Sequence, residues 1–192
     1  MSSDQNTTRH RILSATLQLL EEGAKTRMSD IARAAGISRQ ALYLHFETRA
    51  DLLVATTRYL DELNDSDAML AESRVAETGV ARLDAYIEAW GSYIPKVYRV
   101  AKPIMQMADT DDAAKIAWDE RMGAMRHGCA AAVDALARDG RLRSEFGTDA
   151  ATDILWALLS VPTWAALTQE CGWSQQDYIA RQKMMAKRLL VA

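Results

Sequence analysis

The segment from Met28 to Phe46, Met-Ser-Asp-Ile-Ala-Arg-Ala-Ala-Gly-Ile-Ser-Arg-Gln-Ala-Leu-Tyr-Leu-His-Phe, constrains this chain more than any other. Its spacing predicts two short helices joined by a tight turn. Ile31, Ala35, Ile37, Leu42 and Phe46 supply apolar contacts between them, and Ala32 permits a close crossing. Gly36 admits the positive φ that most side chains resist. With Leu42 and Phe46 turned inward, a step of about 100° per residue turns Gln40 and Leu44 about 160–200° away from Leu42. A packed helix followed by one presented outward is the helix-turn-helix pattern, whose second helix lies in the DNA major groove.

The outward residues have the chemistry for that place. A Gln offers a donor and an acceptor to one adenine edge, and Arg39 in the first turn can bridge the two acceptors of guanine. Leu44 offers only apolar contact, as to a thymine methyl, and Ala41 flanks it. Phosphates need donors around such a helix. Tyr43, His45 and Arg49 are the candidates nearby, with Ser38 as N-cap, and Arg27, Ser29 and Arg33 on the preceding helix face the opposite strand.

Apolar residues make up 49% of the 192, with only 3 Pro and 2 Phe, so an all-α chain is expected. Residues 1–60 hold 8 Lys and Arg against 6 Asp and Glu, and the remainder 15 against 20. A mildly basic head on an acidic body suits a protein that meets phosphates with one end only. Two cysteines, Cys129 and Cys171, lack metal-ligand spacing, and no nucleotide loop, nucleophile motif or metal motif is present. Neither an enzyme nor a required metal or cofactor is indicated. The polar amino terminus is unlike a signal peptide, and the Ile154–Leu167 stretch, interrupted by Ser160, Pro162 and Thr163, is too short to span a bilayer. A cytoplasmic protein without membrane contact is expected.

About nine helices follow from the periodicity. The first runs from about Asn6 to Glu22, and Thr48-Arg-Ala-Asp51 opens a fourth with a capping box. A polar stretch from Asn64 to Ser73 separates a head from a body. The fifth and sixth helices divide at Ile94-Pro95, with a break at Pro103. A seventh starts at a Thr110 cap and ends at Asp139-Gly140, an eighth over 148–170 kinks at Pro162, and Ser174 caps the last.

Gly23, Met28-x-Asp-Ile-Ala-x-Ala-Ala-Gly-Ile-Ser, Leu42-Tyr-x-His-Phe and Arg49-x-x-Leu52 together resemble the DNA-binding domain of TetR-family transcriptional regulators over residues 8–60. The resemblance implies a three-helix reading head over 1–60 and an effector-binding, dimerising helical bundle over 61–192. It implies a homodimer on a palindromic double-stranded operator, usually a repressor released by a small molecule. An activator of the same build, or a ligand-binding protein that has lost DNA binding, are the alternatives. Two departures stand out. Arg27 occupies a position where many members cap helix two with Thr or Ser, leaving Thr26 as a substitute cap. Gln40 replaces a small residue, so base preference is this chain's own.

In the body, Trp118, Met122, Met125 and Cys129 form a continuous stripe, faced by Trp90, Tyr93, Tyr98 and Met105. Met and aromatic side chains suit an adaptable pocket for an apolar ligand, and equally a plain core. By resemblance, these central helices enclose the effector. By resemblance too, Leu155, Leu158, Leu159, Trp164 and Leu167, with Tyr178, Met185 and Leu189 on the last helix, form an intermolecular four-helix dimer surface.

Overall fold

The computed structural model describes residues 2–24 and 26–192, with side chains described from residue 6 onward. Among the described residues the chain is all-helical, with eleven α-helices, one π-helical turn and no strand beyond a single bridge between Leu142 and Val191. In order they are α1 (Ser2–Glu21), α2 (Met28–Ala34), α3 (Arg39–His45), α4 (Arg49–Leu63), α5 (Ser66–Met69), α6 (Ala71–Val75), α7 (Gly79–Met107), α8 (Asp112–Arg138), α9 (Thr148–Leu159), α10 (Val161–Ala165) and α11 (Gln175–Leu190). The π-turn, Ala166–Glu170, follows α10.

Two compact units emerge. One comprises residues 1–64 with 97–121, and the other residues 65–96 with 122–192. The single boundary expected after residue 60 therefore does not delimit the first unit, which also takes in the end of α7 and the start of α8. In that unit Ile12, Leu13, Met28, Ile31, Ala32, Ala35, Leu42, Phe46 and Leu52 form one buried cluster. Burial of this kind stabilises by about 25 cal/mol per Å² of apolar surface. Thr16 and Thr56, both fully buried, satisfy their hydroxyls on the Ile12 and Leu52 carbonyls one turn back, at 2.9 and 2.8 Å.

The second unit has its own core of Leu83, Tyr86, Ile87, Met125, Cys129, Val133, Leu136, Ala151, Leu155, Leu159, Ala186 and Leu190, among others. Here α7 crosses α8 with almost no space. A Cβ on Gly79 would come within 2.5–2.6 Å of backbone atoms of Ala135 and Leu136, so only glycine fits. Burial pushes the Cys129 thiol up to about 12, so this cysteine is an inert core residue.

Several sequence expectations are corrected. Pro95 does not divide a fifth from a sixth helix: α7 runs unbroken through Pro95 and Pro103. A proline at 95 leaves the Gly91 carbonyl without its helical donor. Gln175 Nε2 on α11 supplies one at 2.7 Å, so the helix continues. The cap of α8 is Asp111, whose Oδ1 accepts from the Ala114 N–H at 3.0 Å, and not Thr110. The polar stretch after Asn64 holds two short helices, α5 and α6. Residues 148–170 break at Ser160, where ψ turns to 151° and the hydroxyl caps α10 with Pro162 in its first turn. This segment is long and apolar enough by composition to cross a membrane. Its break and the burial of Leu155, Leu159, Val161 and Trp164 make it part of the unit's core. The Thr48–Asp51 capping box is present as expected, and Gly36 closes the turn after α2 at φ +65°.

Candidate nucleic-acid interface

Helix α3 is short and fixed at both ends. Ser38 sits in extended backbone, and its hydroxyl accepts the Ala41 N–H at 3.0 Å. That side chain is therefore occupied as a cap, and Ala41 is half-buried. Leu42 and Phe46 hold the inner side at 0% and 3% exposure. At Phe46 the chain leaves the helix, and the Arg9 guanidinium from α1 stacks 4.3 Å from the Phe46 ring centroid. Arg9 Nη1 also donates to the His45 carbonyl at 3.2 Å. Sequence reasoning had no means of assigning Arg9 this place, because its partners lie 36 and 37 positions away.

The outer side presents Arg39, Gln40, Tyr43 and Leu44, all exposed. Leu44 is 85% exposed, the most open large apolar side chain among the described residues. A leucine left in water on a helix whose other leucine is fully buried asks for an apolar contact outside the chain. Tyr43 is steadied by Arg39, whose Nη2 donates to the phenol oxygen at 3.3 Å. Beside this surface lies a groove of about 490 Å³ lined by Thr26, Arg27, Met28, Ser29, Arg39, Tyr43, Arg49, Met107 and Asp111. Five of the sequence-derived DNA contacts, Arg27, Ser29, Arg39, Tyr43 and Arg49, thus converge on one depression. Arg33 does not join them. It lines a separate hollow with Leu19, Ala24, Asp30 and Ala34 and pairs with Asp30 at 3.5 Å. His45 is half-buried.

Arg49 is the principal correction. Its side chain is only 19% exposed, and its donors are already engaged. Nε donates to the Thr26 carbonyl at 2.6 Å, Nη2 to the Thr26 hydroxyl at 2.8 Å, and Nη1 to both Asp111 oxygens at 2.6 Å. A guanidinium held by a carboxylate and a buried carbonyl is a structural clamp rather than a free phosphate donor. Thr26, only 2% exposed, is committed to the same clamp, and α2 begins after Arg27 with no side-chain cap. Thr26 therefore does not play the substitute capping role the sequence suggested. Burial pushes the Asp111 carboxyl up, but the Ala114 N–H, the Arg49 guanidinium and the Ala113 N–H together hold it below its usual range. A second clamp joins α4 to α8: Glu120 accepts from Arg58 at 2.8 Å and from Arg121 at 2.5 Å, and Arg121 also pairs with Asp61.

The body residues separate differently from expectation. Tyr98, Met105 and Trp118 belong to the first unit, whereas Trp90, Tyr93, Met122 and Met125 belong to the second. Met125 and Tyr93 are buried at 4% and 7% exposure. Trp90 and Met122 are half-buried against the second core, with Trp90 Nε1 bonded to the Leu159 carbonyl at 2.7 Å. Among the proposed dimer residues, Leu155, Leu159, Trp164 and Tyr178 are buried inside one protomer, so they cannot meet a partner. Apolar helical periodicity looks the same whether the covering surface belongs to the same chain or to another. Leu158, Leu167 and Met185 are half-buried, while Leu189 is 42% exposed together with Met184, which the sequence reading omitted.

Residues 12–56 match the profile of the family described as bacterial regulatory proteins, tetR family. Over 165 residues the chain is 27% identical to the HTH-type transcriptional repressor LfrR of Mycolicibacterium smegmatis, covering 86% of this chain and 82% of the relative. The fold is shared with NalD, the secondary repressor of the MexAB-OprM multidrug efflux pump in Pseudomonas aeruginosa, at TM-score 0.73 and 24% identity over 98% of both chains. It is also shared with the fatty acid degradation regulator FadR from Bacillus halodurans, at TM-score 0.70 and 15% identity over 93% of both chains. A TetR-family sequence match over residues 12–56 and a whole-length match in fold together support a TetR-family transcriptional regulator.

Proposed function

We propose that the chain is a cytoplasmic, homodimeric repressor that reads a palindromic operator through α3 and leaves it when a small, largely apolar molecule binds the helical body. The observation that carries the reading is the outer side of α3, where Gln40 and an 85% exposed Leu44 stand beside a groove lined by Arg27 and Arg39. Gln40 pairs with an adenine edge and Leu44 meets a thymine methyl, while Arg27, Ser29 and Tyr43 take phosphates. The functional division remains a head over about 1–60 and a body over 61–192. The exposed Met184 and Leu189, with the half-buried Leu158, Leu167 and Met185, support a dimer surface on α9 to α11. Dimerisation would set two copies of α3 about one helical turn, roughly 34–36 Å, apart. Effector binding releases DNA only if the ligand prefers a dimer with a different spacing. Repression rather than activation follows the sense of LfrR and NalD.

Binding of Gln40→Ala across a series of operators with single base changes tests the assignment. The variant is expected to relax selectivity at one base per half-site, by about 1–3 kcal/mol of discrimination. Unchanged selectivity at every position would remove Gln40 from the reading surface.

A further inference from the structure

On α11, Tyr178 and Gln182 lie one turn apart, and both are 0% exposed. The Tyr178 hydroxyl and both amide atoms of Gln182 have no hydrogen-bond partner. Buried donors and acceptors are almost always paired, because an unpaired one forfeits its water without replacement. Three such atoms on one helix face are therefore a feature to be explained. Gln175 provides the contrast. At about 100° per residue, Gln175, Tyr178, Gln182 and Ala186 share an arc of about 80°. Gln175 uses both ends of its amide, donating to the Gly91 carbonyl at 2.7 Å and accepting from Trp164 Nε1 at 2.9 Å. The same residue type on the same face is thus satisfied at one position and left entirely unsatisfied two turns on.

The chemistry of the pair limits what could complete it. Burial raises the Tyr178 phenol well above its usual range, so it stays a neutral donor. Gln182 offers two N–H donors and one carbonyl acceptor, with no charge. Along the chain before α11, the 160–170 segment departs from regular α-helical bonding. It breaks at Ser160, makes a five-residue helix and widens into the π-turn closed by the Cys171 N–H on the Ala166 carbonyl at 2.9 Å. Such turns lack the regular ladder and recur at functional sites. Trp164, buried in this segment, brings an aromatic surface whose indole is already tied to α11.

We propose that Tyr178 and Gln182 are the polar anchor of the effector site, taking an uncharged molecule that carries a carboxamide on an aromatic or apolar body. Gln182 donates Nε2–H to the ligand carbonyl and accepts a ligand N–H at Oε1, while the Tyr178 hydroxyl donates to the second lone pair of that carbonyl. The 160–170 segment yields to admit the ligand body. This assignment rests on the small-molecule-release reading above and names the class of molecule for it.

The test uses the full chain, with benzamide and acetophenone as probes and Trp fluorescence as readout. Benzamide has both the carbonyl and the N–H, and acetophenone only the carbonyl. Wild-type protein should bind benzamide about tenfold or more tighter than acetophenone, and Gln182→Leu should lose that preference. Tyr178→Phe should weaken benzamide while keeping the preference. Ligand-free, both variants should melt no lower than wild type, since each removes an unpaired buried group. Absence of benzamide binding, a preference retained in Gln182→Leu, or a lowered melting temperature in both variants would each overturn the anchor. Operator affinity of the ligand-free wild type is measured in parallel. If it is present while benzamide fails, only the anchor is refuted, and if it is absent the repressor reading itself fails.

Discussion

Leu44→Asp abolishes sequence-specific DNA binding, lowering affinity by about a hundredfold or more, while the protein folds as well as wild type. The substitution replaces an apolar contact with a carboxylate on the surface that must approach phosphates and base acceptors, and a dimer suffers it twice. Like charges facing each other at an interface cost several kcal/mol. Stability should change by less than about 0.5 kcal/mol, because an 85% exposed side chain contributes little to the core. Leu44→Ala, which removes the contact without adding charge, should fall between the two. Anisotropy titrations with a labelled operator, paired with urea unfolding, separate the effects. A Leu44→Asp protein that binds operator within threefold of wild type would place α3 outside the DNA groove.

Arg49→Ala acts first on stability. Removing the guanidinium leaves Asp111 without its cation and the Thr26 carbonyl and hydroxyl without their donor. With side chains 19% and 32% exposed, the pair is only partly shielded, so the expected loss is about 1–2 kcal/mol. The pH dependence carries a definite sign. The folded Asp111 carboxyl sits below its unfolded value, so its contribution is present above the unfolded value of about 4 and fades as pH falls through the lower, folded one. The stability gap between wild type and Arg49→Ala should therefore shrink between about pH 5 and pH 3. Urea unfolding across that range checks it, and a gap independent of pH would mean Asp111 is not the partner that matters. Asp111→Asn alone should reproduce part of the loss, and the double variant should lose less than the sum of the two.

The contrast between these two positions explains what the sequence could disclose. The helix-turn-helix was legible because its determinants are local: Ala32, Gly36, Leu42 and Phe46 meet within one motif, and period and turn chemistry suffice to place them. The outward pair Gln40 and Leu44 followed from the same geometry. Arg49 was misread because its partner Asp111 lies 62 positions away, and no spacing rule connects a helix cap on α8 to the first turn of α4. The same cause hid the continuity of α7. Pro95 reads as a break until Gln175, 84 positions from Gly91, supplies the missing donor. Leu155 and Leu159 differ from expectation for another reason: they have the apolar spacing of an interface but are consumed by their own protomer's core. The orphaned atoms of Tyr178 and Gln182 could be recognised only once every neighbour had been placed.

The most direct test of the account is a fluorescence-anisotropy titration of the unmodified chain against the DNA upstream of its own gene and against a scrambled duplex, from about 50 to 200 mM salt. Two protomers per site, affinity that falls steeply with salt, and a preference for the upstream duplex of about a hundredfold or more at the higher salt are expected. Equal affinity for both duplexes, or no binding at the lowest salt, would contradict the account.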